Sequence, residues 1–422
     1  MRISSAHIYR STLETMQTKQ AQFDHTGLQL ATGKRILTAA DDPAGATQSA
    51  KLTTMIKTTE QHQRNNNIAT PWLEQEEWAI GGTTDQLQRV RELVVQGNND
   101  SQNEETRQYI ANEIRGIRDA LFDLANTKGP NGEYLFAGTR SNAAPFEINA
   151  AGEVSYIGAT GDGAVRKLAI ASTTTVAIGN SGDDVFMNIL ENDGRIGAAL
   201  TRGTTDPLSD LAIELTDVSD LNEFLTGTNA TDEFEIQFQQ TGTDPLTNER
   251  IMQYRVMNTS QGGIETVGWT DYSSEATISF AGRRMILSGT PQTDDTVTSR
   301  PAQHVTIFQT LDNIATAFEA GASNDNQRSD LTTAANRSLD DLDATLAHLG
   351  MIRTTIGTRL QLLETQTSSN EERLLDLQST RSDIQDLDYS EAISRFTLEQ
   401  TALEAAQKSY VQVNKLSLFN FL

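Results

Sequence analysis

Gly33-Lys34 is the nearest approach in this 422-residue chain to a phosphate-binding loop. Such a loop needs G-x-x-x-x-G-K-[ST] between a strand and a helix, so that successive N–H groups cradle phosphate and the lysine reaches it. Here Arg35 follows Lys34, no glycine lies five residues before Gly33, and the preceding residues keep a helical heptad. The stretch 30–45, "LATGKRILTAADDPAG", reads instead as a joint between two helices. Gly33 falls where a helix C-cap belongs, with Lys34 and Arg35 at the negative end of the dipole. Asp41 or Asp42 then caps a new helix, with Pro43 at its first position.

Other reactive residue types are as sparse. There is no cysteine, which removes disulfides, thiolate zinc ligands and thiol nucleophiles together. His7, His25, His62, His304 and His348 are isolated and form no H-E-x-x-H pair, so they read as surface or bundle histidines. No G-x-S-x-G is present. "GATGDG" (158–163) lacks the order and setting of a dinucleotide fingerprint and reads as a hairpin loop. "NSGDD" and "QTDD" lack calcium-loop spacing. Asn229-Ala-Thr and Asn258-Thr-Ser match the glycosylation sequon, a pattern short enough to arise by chance. Nothing here argues for catalysis, and no catalytic residue, metal site or cofactor is expected.

The bulk properties narrow the partners. A net charge of -24 speaks against nucleic acid, whose phosphates need clustered Lys and Arg, and against an acidic membrane surface. No run of 18 apolar residues exists to span a bilayer, and "MRISSAHIYRSTLETMQTKQ" contains no apolar core of a secretory signal. Hydrophobic residues make up 37% and aromatics 6%, which suits long helices with narrow apolar stripes better than one large core.

Glycine and proline divide the chain into thirds. Residues 302–422 hold no proline and only Gly321, Gly350 and Gly357, whereas 140–301 hold 16 of the 29 glycines and five of the eight prolines. In the last third, Leu342, Leu349, Ile356, Leu363, Leu377 and Ile384 share one seven-residue register, with Asn370 its polar gap. Leu339, Leu346, Leu360 and Leu374 form a second seam. This predicts a long bundle or coiled-coil helix. Then the frame shifts: Tyr389, Phe396, Leu403 and Tyr410 are seven apart, flanked by Ala392, Ala406 and Val413, and the apolar ending "KLSLFNFL" is expected to dock.

The first third mirrors this. Tyr9, Met16, Phe23 and Leu30 are seven apart, with Leu13 between them. Beyond Pro43 a register runs through Leu52, Thr59, Asn66, Leu73, Ile80, Leu87 and Val94, with a kink or break expected at Pro71 or Gly81-Gly82. A third helix fits 103–126, with Ile110, Ile114, Ile117, Leu121 and Leu124 on one face, Ser101 as cap and Glu104 as capping-box acid. "TKGPNGEY" ends it in a turn.

The middle reads as β. "EVSYIG", "DEFEIQFQ", "MQYRVMN" and "EATISFAG" alternate or are rich in β-formers, and residues 206–225 add a short helix. This segment alone carries 10 Lys+Arg against 23 Asp+Glu, a solvated acidic exterior. The expected fold class is α+β: an elongated multi-helix bundle made by both terminal segments, with a β-rich domain inserted between them. Three parts follow: 1–42 with 385–422, 43–139 with 302–384, and 140–301 as an outer part with room for two subdomains.

Blocks of the sequence resemble the flagellin superfamily, and within it the hook-associated proteins at the junction of hook and filament. They are "MRISSAHIYRSTL", "LATGKRILTAADDPAGATQSAKL", "NGEYLFAGTRSNAAPF", "ISFAGRRMILSGTPQTDDTVT" and "ALEAAQKSYVQVNKLSLFNFL". "MRIS", "EYLFAGT" and "SGTPQTDDTVT" favour the hook-associated branch; filament-forming flagellin is the alternative, since both helical ends resemble it too. The centre of the insertion matches no quoted pattern. The resemblance implies a structural adaptor exported unfolded, without a cleaved signal, through the flagellar type III apparatus to the cell exterior. It implies self-assembly into a ring, contacts to the preceding hook-associated protein and to flagellin, and an export chaperone on the C-terminal stripe. It also implies that Tyr9, Leu13, Met16, Phe23, Leu30, Tyr389, Phe396, Leu403, Tyr410 and Val413 form the assembly interface, with Gly33, Asp41, Asp42 and Pro43 as the helix joint beside it. Gln20, Gln400 and Gln407 near these stripes suit a multi-subunit tube better than a lone helix pair. Residues near 1–36 and 389–422 are expected to fray in the free monomer, because a short apolar seam offsets little of the entropy of ordering them. Outside this superfamily the rival readings are a secreted enzyme with a helical stalk and a cytosolic coiled-coil scaffold.

Overall fold

The computed structural model describes residues 5–99, 101–161, 163–203, 209–245 and 250–419. The chain is α+β, with long helices from both ends and a β-rich middle. Helices α1 (Ser5–Thr32), α2 (Pro43–Gly97) and α3 (Glu104–Ala125) precede the middle, and α4 (Leu221–Phe224) is one turn inside it. Helices α5 (Ile307–Ala320), α6 (Asp325–Gln385) and α7 (Tyr389–Phe419) follow it. Two compact units divide the chain: Met1–Asn66, Ile170–Thr174 and Glu364–Leu422 form the first, Asn67–Ala169 and Thr175–Leu363 the second.

The heptads decide the helices. In α2 the register from Thr59 through Asn66, Leu73, Ile80, Leu87 and Val94 is buried throughout. No break occurs at Pro71 or at Gly81-Gly82; α2 runs through both. Proline inside a helix forfeits one hydrogen bond and strains the turn before it, about 3 kcal/mol. Pro71 lies on the exposed face, while Trp72, Leu73, Ala79 and Ile80 around it are buried. At roughly 1.5–3 kcal/mol for each large side chain, that burial outweighs the penalty.

In α6 the two seams are unequal. Leu342, Leu349, Ile356, Leu363 and Leu377 are buried, whereas Ile384 and the second seam of Leu339, Leu346, Leu360 and Leu374 are half-buried. The polar gap has a structural reason. Asn370 donates from Nδ2 to the Ile170 carbonyl at 3.2 Å, and its Oδ1 accepts from Gln366 at 2.9 Å. One level away Asn66 donates to Thr367 Oγ1 at 3.1 Å. A backbone turn is thus seated in the bundle of the first unit, with Ile170 fully buried.

Helix α3 begins one residue after Asn103, whose side chain accepts from the Thr106 N–H at 2.8 Å. Ser101 is not the cap. It lies two residues too early, and its own N–H is engaged by Asn99 Oδ1 at 2.9 Å. Ile110, Ile114, Ile117 and Leu121 are buried as their spacing requires, and Leu124 is half-buried.

The middle strands, in chain order, are β1 (Phe146–Ile148), β2 (Val154–Tyr156), β3 (Lys167–Ala169), β4 (Thr175–Ala177), β5 (Ile189–Leu190), β6 (Ile196–Thr201) and β7 (Ala212–Val218). After them come β8 (Phe234–Thr243), β9 (Arg250–Asn258), β10 (Ile264–Asp271), β11 (Thr277–Phe280), β12 (Arg283–Ser288), β13 (Thr296–Pro301) and β14 (His304–Val305). A five-stranded antiparallel sheet has the order β10-β9-β8-β13-β6, and a three-stranded one β11-β12-β7. Alternation buries Phe234, Ile236 and Phe238 from β8 with Met285 and Leu287 from β12 in one core. The loop at 158–163 closes no hairpin: it links β2, paired with β1, to β3, paired with β4. Within the stretch read as a short helix, described residues 209–225 form strand β7 and the single turn α4, capped by Asp220.

Candidate functional site: a helix pair and its joint

The stripes and the joint all lie in the first unit. Helices α1 and α7 pack along one another. Phe23 and Phe396 stack with ring centroids 4.4 Å apart and planes 26° off parallel. Gly27 lies against the same ring: a Cβ there would meet Phe396 Cε2 at 3.5 Å, an ordinary van der Waals contact. Ala392 and Leu403 are buried, and Leu13, Met16, Leu30 and Tyr410 are half-buried. Tyr389 is 53% exposed; its hydroxyl lies over Gly33 rather than in the seam. The backbones of Tyr9 and Val413 lie in α1 and α7, but their side chains lie outside the described residues, as do those of the apolar ending 415–422. Gln20, Gln400 and Gln407 are exposed.

The seam is narrow, and the pair carries apolar side chains outside it. Leu28, Ile393, Leu398 and Val411 are all more than half exposed, Leu398 at 72%. Heptad counting passes over them because none falls in the registers of Phe23 or Phe396. The signal that finds them is composition by face: a long helix with apolar residues at 393, 398 and 411 as well as on its seam has more apolar surface than one partner can cover.

The joint is built from two chain breaks at one level. Gly33 ends α1 in the left-handed conformation (φ 69°), its N–H bonded to the Gln29 carbonyl at 2.8 Å. Its carbonyl accepts from Leu387 N–H at 3.0 Å, and Arg35 N–H donates to the Gln385 carbonyl at 2.8 Å. Lys34 and Asp386 therefore face each other in an antiparallel bridge that ties the α1–α2 connection to the α6–α7 connection. The Arg35 guanidinium adds a bond to the Ile384 carbonyl at 2.7 Å, a cation on the negative end of α6. From α1, Gln29 donates to the Arg35 carbonyl at 2.6 Å.

The two aspartates divide the labour that the sequence left open. Asp42 is the cap of α2, accepting from the Gly45 N–H at 2.8 Å, and Pro43 is the first helical residue. Asp41 accepts from the Leu37 and Thr38 N–H groups at 2.9 and 2.7 Å and contacts His25 at 3.0 Å. Both carboxyls are held below the usual carboxylate range, Asp41 first by the Thr38 N–H and Asp42 first by the Gly45 N–H. The second break has its own cap: Asp388 accepts from the Ser390 and Glu391 N–H groups at 2.9 and 3.2 Å. Asp386 escapes sequence reasoning because its bridge partner, Lys34, is more than 300 residues away, whereas Asp388 is a local cap that the heptad count passed over.

In the joint the side chains of Arg35, Asp41, Asp42 and Asp388 are engaged in holding the backbone. Among the described residues no three His, Cys, Asp or Glu side chains gather as a metal site, and no helix is long and apolar enough to cross a membrane.

Profiles of bacterial flagellin match both ends of the chain, the N-terminal helical region over residues 3–141 and the C-terminal helical region over 332–422. Flagellin FlaB1 of Treponema pallidum is 30% identical over 198 residues, 43% of this chain and 69% of that protein. The chain belongs to the bacterial flagellin superfamily. Within it, the similarity that runs from end to end is to the flagellar hook-associated protein 3 of Escherichia coli K12, at 25% identity over 419 residues and 99% of both chains. The Salmonella typhimurium protein of that name is 32% identical over 192 residues, 46% of this chain and 59% of its own length. The crystal structure of hook-associated protein 3 from Legionella pneumophila superposes with a TM-score of 0.71 at 26% identity, over 79% of this chain and 98% of that one. Xanthomonas campestris FlgL gives 0.68 at 25% identity, over 78% and 99%.

Proposed function

We propose that this protein is a structural adaptor of the bacterial flagellum, placed where the hook-associated ring meets the filament, and that its terminal helices pack axially against neighbouring subunits. One observation carries the reading. The similarity to hook-associated protein 3 covers 99% of both chains, β-rich middle included, whereas the flagellin of Bacillus subtilis matches 47% of this chain. In the filament-forming alternative the middle region would have no reason to follow the junction protein. The partners are copies of itself, the preceding hook-associated protein on one axial face and flagellin on the other. An export chaperone holds the α7 stripe before assembly, and the chain leaves the cell through the type III route without a cleaved signal. The narrow seam and the exposed Leu28, Ile393, Leu398 and Val411 support α1 and α7 as the polymerising element. Residues 43–139 with 302–384 serve as the bundle that carries this element, and 140–301 as the outer part.

The test is immunogold electron microscopy of intact flagella with antibody against residues 140–301. A single labelled band between hook and filament is expected. Label along the whole filament would make the protein a flagellin, and flagella without label would remove it from the organelle.

A further inference from the structure

In the first unit two cations and a stripe of carboxylates are left without counterparts. A cleft of about 600 Å³ opens beside the joint. The α2 wall is made of small side chains, Ala46 and Ala50 among them; Arg381 of α6 and Lys34 of the α1–α2 connection also line it. Arg381 is half-buried and Lys34 exposed, and among the described residues neither side chain makes a hydrogen bond or an ion pair. The one carboxylate in the cleft, Asp386, is engaged by the Ser382 hydroxyl. The cleft therefore keeps an excess of positive charge in a chain whose net charge is -24.

The outer face of the same stretch of α6 has the opposite character. Glu372, Asp376 and Asp383 are spaced four and seven apart, which puts them on one stripe. All three are exposed, and none has a hydrogen bond or ion pair among the described residues. Beside them Leu375 is 68% exposed. Arg373, one position on from Glu372, points about 100° away around the helix. Asp383 is two positions from Arg381, about 200° around, so one copy cannot close its own stripe on its own cleft.

We propose that a second copy of this chain fills the cleft with the outer face of its α6, so that Glu372, Asp376 and Asp383 of one copy meet Lys34 and Arg381 of the next. The proposal rests on the adaptor reading, in which copies of the chain assemble, and names the surfaces that meet. Charge complementarity selects the occupant: the cleft lacks anions, the stripe lacks cations, and both repeat in every copy. A single small anion would leave most of the cleft to water, whereas a helix face fills it and covers Leu375. The contact is heterologous, cleft on one side and stripe on the other, so each copy receives one neighbour and is received by another. Like charges on any other approach of two copies repel, and the pairing thereby sets the register between them.

The experiment exploits the absence of cysteine. Ala50→Cys and Ser379→Cys, combined in one full-length chain, place one thiol in the cleft and one on the exposed stripe between Asp376 and Asp383. Intact flagella are treated with a short bismaleimide and the protein is resolved under denaturing conditions. A ladder of multimers of this chain is expected from the double variant and none from either single one. In parallel, Lys34→Glu with Arg381→Glu is expected to lower the number of attached filaments at least about tenfold, as is Glu372→Lys with Asp376→Lys and Asp383→Lys. All five substitutions in one chain restore opposite charges at every contact and are expected to restore attachment, which separates lost pairing from lost folding. No ladder in flagella that carry the protein at the junction would overturn the proposal and leave the adaptor reading standing. Cross-links to a different protein alone would overturn it by assigning the cleft another occupant, and so would a five-fold variant no better than the partial reversals.

Discussion

Replacing Glu76 by Gln is predicted to stabilise the protein above neutral pH and to remove most of one slope in its pH profile. Glu76 sits on α2, fully buried, and its Oε1 accepts from both the backbone N–H and the side-chain amide of Asn180 at 2.9 Å. Its Oε2 has no partner among the described residues. Arg359 lies nearby, but it donates to the Gly179 carbonyl and Asn180 Oδ1, each at 3.2 Å. Burial therefore dominates and pushes Glu76 up from 4.5 to about 7, against the lowering by Asn180 and Arg359. The folded form keeps a proton that the unfolded chain has released, so stability is greatest below pH 4.5 and falls as pH rises to about 7. The slope is about 1.4 kcal/mol per pH unit and the whole loss on the order of 3 kcal/mol. Gln keeps the oxygen that serves Asn180 and carries no charge, while its amide N–H finds no acceptor, at a cost of about 1 kcal/mol. The expected gain at about pH 8 is then ~2 kcal/mol, shrinking and reversing below about pH 5. Asp340 and Asp341, also raised chiefly by burial, tilt the wild-type curve in the same direction, so the difference between variant and wild type is the quantity to read. Urea unfolding across pH 4.5–8.5 supplies it. Parallel curves for the two proteins would refute the claim that an uncompensated carboxylate is buried at this position.

Gly33→Ala is expected to cost about 1–2 kcal/mol for the left-handed backbone, and more while Tyr389 Oη occupies the space 2.8 Å from the new Cβ. Adding Tyr389→Phe should recover the second part alone, and additive losses in urea melts would show that the two residues do not meet. Amide exchange in dilute monomer should find α1 and α7 exchanging far faster than β8, β9 and β12; strong protection of both terminal helices would remove the case for assembly-driven ordering. Phe396→Asp together with Leu403→Asp should abolish filament attachment or export, because each places a charge in the seam between α1 and α7. Normal flagella from that variant would detach the α7 stripe from assembly.

How much of this was legible depends on how far apart the partners lie. Heptads in α2 and α6, the β middle and the joint after Gly33 follow from residues within one or two turns of each other. Asn103 displaced Ser101 as the cap of α3 because capping depends on which residue adopts the extended backbone just before the first turn, and both side chains are competent. Pro71 gives a local breaker signal that the burial of Trp72 and Leu73 overrides, and burial is a tertiary quantity. Asn370 looked like a flaw in a seam; it is the seat of a turn 200 residues earlier, which no periodicity could announce. The same holds for Gln385, Asp386 and Leu387, whose place in the joint depends on Gly33, Lys34 and Arg35 reaching them from the other end of the chain.

The hydrogen bonds of the joint constrain how the terminal helices can move. Leu387 N–H on the Gly33 carbonyl and Arg35 N–H on the Gln385 carbonyl form a closed pair, and Arg35 adds a charged bond to Ile384. If α1 alone swung away, it would break both backbone bonds and leave the last carbonyls of α6 without their cation, a loss of several kcal/mol. Movement of α1 and α7 together breaks none of them. The pair is therefore a single object hung from two connections, with one narrow seam inside and apolar side chains left outside. Under the proposed function such an object would gain buried area from each neighbour that covers Leu28, Ile393 or Leu398. Assembly can then order both ends of the chain in one step, and the stacking of Phe23 on Phe396 fixes which faces they present when it does.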